Sequence, residues 1–118
     1  MTNPVEEKSF EFAVRIVKFS RWLKGQTREY EIANQIMRSG TSIGANIAEA
    51  QYAQSKKDFI AKMRIALKEA YETEYWLRLT IATDTVDKKA VETLTEDLKE
   101  ILKLLISIIK STTQTQTL

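Results

Sequence analysis

The chain contains no cysteine and no histidine among its 118 residues. Without cysteine it has neither disulfides nor a thiolate metal site, so we expect it to act in a reducing cytoplasm. Without histidine it lacks the commonest general base, every Ser-His or Cys-His nucleophile, and the histidine of bundle di-iron sites. It also lacks a glycine-rich phosphate loop and a dinucleotide-binding fingerprint. The sequence therefore predicts a protein that is not an enzyme and that uses no cofactor and no metal.

Helix-breaking residues and long apolar runs are both scarce. There is one proline, Pro4, and there are only three glycines, which favours a few long helices over many short strands. The most apolar stretch, 101–109, contains Lys103 and is far shorter than the ~20 residues that span a bilayer. Charges at positions 6–8 replace the apolar core that a signal peptide would have. We expect a soluble protein with no membrane role.

Start and stop signals divide the chain into four helical segments. Asn3 and Pro4 open the first helix and Gly25 closes it with a left-handed cap, whereas Ser55 opens the third and Asp87 caps the fourth. Because long helices joined by short connections pack antiparallel, residues 1–118 are predicted to form one all-α domain, an antiparallel up-and-down four-helix bundle. The predicted helices cover about 4–24, 28–53, 56–83 and 88–111, followed by a frayed polar tail at 112–118.

The middle of the second helix is a locally poor helix former. Gly40 and Gly44 each cost ~1 kcal/mol relative to alanine, and the serines and threonines between them compete for backbone hydrogen bonds. Packing can override this cost, and small side chains allow a neighbouring helix to approach closely. We expect a continuous helix, and leave open whether it is kinked near Gly44.

The fourth helix is apolar on more than one side. A heptad-like seam runs from Val91 to Ile108. A helix that is apolar around more than one face is buried on more than one face. The apolar residues outside the seam either widen the core stripe or form an interface between subunits, and we favour the interface: Leu102, Leu104, Ile106 and Ile109.

Charge is unevenly distributed, although the net charge is only +2. The third helix is basic over 56–68 and acidic over 69–78. Two lysines at its start lie where the helix dipole disfavours cations, which is typical of a phosphate-binding end. The basic side chains of the first and third helices form either a nucleic-acid surface or a solvated face: Lys56, Lys57, Lys62, Arg64, Lys68, Arg15 and Lys18. Four aromatic residues could stack on bases, although filling a core or interface is commoner: Trp22, Trp76, Tyr71 and Tyr75.

Five polar residues fall on or near the predicted inner faces of the second and third helices: Arg38, Asn46, Glu49, Glu69 and Glu74. One interpretation is a hydrogen-bonded cluster that fixes helix register. A binding site for an anionic ligand is the second interpretation, and a catalytic site built from arginine and carboxylates is the third. We favour the structural interpretation.

Two segments resemble the 23S rRNA intervening-sequence protein family, also called the four-helix-bundle protein family. They read RSGTSIGANIAEA from Arg38 to Ala50 and SKKDFIAKMRIALKEA from Ser55 to Ala70. Many relatives have proline at the position of Gly44. The resemblance implies a four-helix bundle that assembles into a ring-like homo-oligomer, with a pentamer as the expected number. It also implies a relationship to the accessory proteins of diversity-generating retroelements, which bind a reverse transcriptase and nucleic acid through a basic surface.

These observations leave two functional hypotheses. In the first, the protein is a homo-oligomeric adaptor that binds RNA, DNA or a nucleoprotein partner through the basic side chains of the third and first helices. In the second, it is a protein-interaction scaffold without a nucleic-acid role, whose charges serve solubility and subunit register.

Overall fold

A computed structural model describes the backbone of residues 3–116 and the side chains of residues 3–114. Four helices account for nearly all of this range: α1 (Pro4–Thr27), α2 (Tyr30–Ala50), α3 (Lys56–Ala82) and α4 (Lys88–Gln116). No strand occurs within it. The helices form an elongated body of 51 × 24 × 21 Å. The predicted all-α, up-and-down four-helix bundle is confirmed.

Contacts between the helices define a square arrangement. Within the described residues, α1 packs against α2 and α4, and α3 packs against the same two helices, while no Cα atoms of the diagonal pairs come within 8 Å of each other. Each neighbouring pair is antiparallel: along α1 and α4, Lys8 pairs with Glu100 whereas the later Arg15 pairs with the earlier Asp97. The α1–α2 and α3–α4 pairs therefore form opposite sides of the bundle.

The first helix ends differently from the sequence prediction. Gly25 lies within α1 and has no positive φ, and the helix continues to Thr27. The left-handed residue is Arg28, with φ of 61°, and its N–H donates to the carbonyl of Lys24 at 3.2 Å. Thr27 closes the end because its hydroxyl donates to the Leu23 carbonyl and accepts from the backbone N–H of Glu29. The assignment of the left-handed cap to Gly25 was wrong.

Two other boundaries shift. The second helix covers Tyr30–Ala50, a shorter span than the predicted 28–53. The fourth runs to Gln116 rather than to 111, since neither glycine nor proline interrupts it and the Thr112 hydroxyl donates to the Ile108 carbonyl at 2.8 Å. The predicted frayed tail at 112–118 therefore begins inside α4, and its residues 117 and 118 lie outside the described range. The start of α3 agrees with the prediction, because the Ser55 hydroxyl accepts from the backbone N–H of Asp58.

The glycines of α2 allow α1 to pack closely against it. A Cβ atom built on Gly40 would lie 2.8 Å from Cγ2 of Ile16, and one on Gly44 would lie 3.1 Å from the backbone oxygen of Ser9. On its other side α2 packs against α3, where the buried hydroxyls of Ser39 and Thr73 hydrogen-bond at 3.0 Å. The helix is continuous through this segment, so tertiary packing offsets its poor intrinsic propensity, as predicted.

Candidate interaction surfaces

The exposed face of α3 carries positive charge and no negative charge. Its basic residues are Lys56, Lys57, Arg64, Lys68 and Arg78, and all five are exposed. From Lys57 onward their spacings are seven, four and ten residues, each a sum of threes and fours, so they lie on one side of the helix. Within the described part of the chain, none of them pairs with a carboxylate. We call these five residues the basic face of α3.

The carboxylates of α3 lie on its flanks, where all of them are at most half-exposed. Glu69 and Glu72 point toward α2 and both pair with Arg38. The division of this helix into a basic and an acidic half therefore does not hold for its exposed surface. Arg78 extends the basic face into the half that the sequence marked as acidic, and sequence reasoning had omitted it.

Three other residues assigned to the nucleic-acid surface lie elsewhere. Lys62 is turned toward α2 and pairs with Glu49 at 3.3 Å. Arg15 lies on the seam between α1 and α4, where it pairs with Asp97. Lys18 is exposed on α1, the helix diagonally opposite α3. The structure thus brings Lys56, Lys57, Arg64 and Lys68 together and separates the other three from them.

Ion pairs join α1 to α4 along that seam. In addition to the Arg15 pair, Lys8 contacts Glu100 at 2.5 Å. The hydrogen bond with Glu100 raises the pKa of Lys8, and the same bond lowers the pKa of Glu100. Both groups are therefore charged at neutral pH, and the pair bridges the exposed edges of the two helices.

The five residues predicted as a polar cluster do not meet in one site. Arg38 and Glu69 pair across α2 and α3 at 3.3 Å. Glu49 instead pairs with the lysine of α3 described above, and Asn46 donates to a backbone carbonyl one turn earlier in its own helix at 2.8 Å. Glu74 has neither a hydrogen bond nor an ion pair among the described residues. The arrangement provides no convergent pocket for an anionic ligand.

Around Arg38, however, a network links α2 to α3. Arg38 also pairs with Glu72, whose Oε2 accepts a hydrogen bond from Nε1 of Trp76 at 3.0 Å. Nε of Arg38 donates to the side-chain oxygen of Gln35 at 3.2 Å. Sequence reasoning missed Glu72 and Trp76, although their spacing of four places them on one helix face. Every charged group in this network has a partner, so its geometry favours a role in fixing register.

We expect Arg38→Met to lower the free energy of unfolding by about 1 kcal/mol at low salt. The methionine keeps much of the alkyl packing but removes the ion pairs, and the half-exposed position of Arg38 limits their contribution. Urea denaturation at low and at 1 M salt would measure the effect, which should shrink at high salt. Arg21→Met is the control, because Arg21 is exposed and unpaired within the described chain. A loss independent of salt would instead indicate that packing was removed.

The apolar residues of α4 differ in exposure. Leu102 is buried in the core of the single chain, and Leu104 and Ile109 are partly buried against that core. Only Ile106 is exposed, at 44%. A wide core stripe therefore accounts for Leu102, which offers no surface to another subunit. The exposed part of the predicted interface is centred on Ile106, with Ile109 beside it in a shallow groove between α3 and α4.

The aromatic residues also fall into two groups. Trp76 is half-buried against the core, and Trp22, although 44% exposed, lies against Phe19 of the same helix with their ring centroids 5.7 Å apart. Tyr71 and Tyr75 are 49% and 56% exposed on α3. Their positions lie between Lys68 and Arg78, so the two tyrosines are interleaved with the positive charges of the basic face.

An open groove of about 720 Å³ lies between α1 and α2, and sequence reasoning did not find it. Its wall includes Phe10, which is 68% exposed, and its floor is made of Ala13, Gly44, Ala45 and Ala48. The small side chains of the alanines leave the groove open, whereas at Gly44 the backbone of α1 lies close to α2. Large exposed apolar side chains around a groove are typical of interaction sites.

The described residues include no group of three or more acidic side chains arranged to hold a metal ion. Over the same residues, none of the helices combines the length and the apolar character needed to cross a membrane.

The fold and these surfaces define a helical-bundle protein whose distinguishing surface features are one basic face and one apolar groove. The chain belongs to the 23S rRNA-intervening sequence protein family, whose model matches residues 1–107. It is 57% identical to a protein of unknown function from the S23 ribosomal protein family of Bacteroides thetaiotaomicron, whose crystal structure superimposes with a TM-score of 0.88. That match covers 90% of this chain and 98% of the other. No curated protein matches the sequence.

Proposed function

We propose that this protein is a non-catalytic, homo-oligomeric adaptor that binds RNA, DNA or a nucleoprotein partner through the basic face of α3. The observation that carries the proposal is the charge of that face. Its basic side chains are exposed without partner carboxylates in the described chain, and the acidic residues of the same helix are turned aside. Phosphate backbones bind such surfaces through the release of their counterions.

Two further features support nucleic acid as the ligand. Tyr71 and Tyr75 lie among the charges of the basic face, and exposed aromatic rings next to cations stack on unpaired bases. Lys56 and Lys57 lie at the N-terminus of α3, where backbone N–H groups and the helix dipole add to the attraction for phosphate. Together they favour a single-stranded or partly unpaired nucleic acid.

The assembly is proposed to be a homo-oligomer, with a pentamer as the expected number, acting in the cytoplasm. The exposed Ile106 of α4 supports self-association, while the pentameric number rests on the family resemblance alone. A ring would repeat the basic face once per subunit, so weak individual contacts would gain avidity. The proposed relationship to accessory proteins of diversity-generating retroelements rests on that resemblance and on the basic surface.

A protein-interaction scaffold without a nucleic-acid role is the second candidate. The exposed apolar side chains of Phe10 and Ile106 favour it, because they would bind other protein surfaces whether or not nucleic acid is present.

Light scattering coupled to size exclusion would test these proposals, with mixed RNA and DNA added at low and at physiological salt. The adaptor predicts a particle larger than one chain that takes up nucleic acid at low salt and releases it as salt rises. An oligomer that binds no nucleic acid at either salt concentration would favour the scaffold. A monomer would contradict the proposed self-association.

A further inference from the structure

The groove between α1 and α2 has the chemistry of a docking site for a complementary protein surface. Its apolar wall and floor, with Phe10 at 68% exposure, are bordered by Glu6 and Glu7. Neither of these carboxylates forms an ion pair within the described residues. The adjoining part of α2, residues 39–50, contains no basic residue. A partner for this groove should therefore combine apolar side chains with positive charge.

The opposite side of the same molecule carries that combination. The shallow groove between α3 and α4 is lined by Leu67, Ile106 and Ile109 and is bordered by Arg64 and Lys110. Ile106 is 44% exposed, and within the described chain neither Arg64 nor Lys110 pairs with a carboxylate. The two sides thus match in polarity: acidic and apolar on one, basic and apolar on the other.

The two surfaces also lie at the same level along the bundle. The α1–α2 groove is formed by the first half of α1 and the second half of α2, and the α3–α4 groove by the last residues of α4 and the first half of α3. In an antiparallel bundle all of these segments meet near one end, within ~16 Å of it at 1.5 Å per residue. Copies placed side by side in the same orientation would bring one surface against the other.

We propose that the α1–α2 groove of one copy receives the Ile106 side of α3 and α4 from a second copy, in a head-to-tail contact. Glu6 and Glu7 then face Arg64 and Lys110, and Phe10 is covered by the apolar side chains of α4. Because each copy presents both surfaces, the contact is heterologous and repeats from copy to copy. This inference rests on the proposed homo-oligomer and specifies its interface.

Two variants each alter one of the two surfaces and leave the other intact. Ala45→Arg places a cation in the groove, opposite the basic border of the incoming copy, and Ile106→Asp places an anion opposite Glu6 and Glu7. Both positions are exposed in the single chain, so the fold should be retained, which circular dichroism would check. Phe10→Glu is a second groove variant. The matched controls are Ala90→Arg and Tyr30→Asp, which alter exposed positions at the other end of the bundle.

Light scattering of each variant alone and of equimolar mixtures gives the test. Ala45→Arg and Ile106→Asp should each have the mass of one chain, and their mixture should form a dimer. The dimer arises because Ala45→Arg retains an intact Ile106 side and Ile106→Asp retains an intact groove. Both controls should assemble like the wild type.

Each other outcome contradicts a different statement. If both surface variants assemble normally, the head-to-tail contact is wrong although the homo-oligomer stands. If both are monomeric but do not associate when mixed, the contact is not heterologous. A monomeric wild type would overturn the homo-oligomer together with this interface, and would leave the groove to a different partner.

Discussion

Gly40→Ala is expected to destabilise the bundle, although alanine is the better helix former by ~1 kcal/mol. The added Cβ would lie 2.8 and 2.9 Å from Cγ2 and Cγ1 of Ile16, a β-branched side chain that is fully buried. These atoms are close to the backbone of α1, so they cannot rotate away without moving the helix. Overpacking of this kind costs ~1–3 kcal/mol, and Gly40→Val should reach the upper end of that range.

Urea denaturation at one fixed protein concentration would measure these changes, since self-association would make stability depend on concentration. Gly25→Ala is the matched control. Gly25 also lies inside a helix, α1, but a Cβ there meets nothing within 4 Å. That variant should gain up to ~1 kcal/mol, giving the opposite sign from Gly40→Ala.

A double-mutant cycle identifies Ile16 as the cause. Ile16→Ala removes the three atoms nearest to a Cβ at position 40, at its own cost of ~2–5 kcal/mol. In that background Gly40→Ala should become neutral or stabilising. If Gly40→Ala is equally harmful with and without Ile16, the contact between α1 and α2 does not explain the glycine.

Reversing the charge of Lys56 and Lys57 is expected to reduce nucleic-acid affinity by about tenfold or more at low salt. Both lysines are exposed at the N-terminus of α3 and unpaired within the described chain. Fluorescence anisotropy with a labelled single-stranded oligonucleotide, repeated over a series of salt concentrations, would measure the loss. The slope of log affinity against log salt should decrease in magnitude by about 2, one for each lysine.

The chain contains a matched control for this variant. Lys88 and Lys89 are the first two residues of α4, exposed like Lys56 and Lys57 but at the opposite end of the bundle. Replacing either pair of lysines by glutamates changes the net charge by the same amount. Because the helix dipole favours acidic residues at a helix N-terminus, neither variant should lose stability. The α4 variant should bind nearly as well as the wild type. Equal losses for both pairs would mean that net charge, rather than the basic face of α3, determines binding.

The helical architecture could be predicted because it depends on local signals. The capping serine at position 55 and the three- and four-residue spacing of apolar positions act within one helix turn. The left-handed end of α1 could not be assigned in the same way, because both Gly25 and Arg28 can adopt positive φ. Contacts of Thr27 with the last turn, together with continued packing of the helix, place the cap at Arg28.

Which residues form the candidate interaction surfaces depends on the direction of each side chain relative to the neighbouring helices, and the sequence alone does not give that direction. The sequence grouped Lys56, Lys57, Arg64 and Lys68 by their charge, and all four are exposed on α3, but it did not place Arg78 with them. In the sequence, the carboxylates between Lys68 and Arg78 make the second half of α3 look acidic. In the structure, two of them pair with Arg38 of α2 and do not lie on the exposed face.

The sequence by itself therefore determined the class of fold, the number of helices and the pool of basic residues, since periodicity and capping are properties of short segments. Only the tertiary structure decided that Leu102 belongs to the core, that Lys62 and Arg15 are held in ion pairs, and that a groove opens beside Phe10. These outcomes depend on which helices are neighbours. That arrangement is set by packing between residues far apart in the chain, such as Gly40 against Ile16.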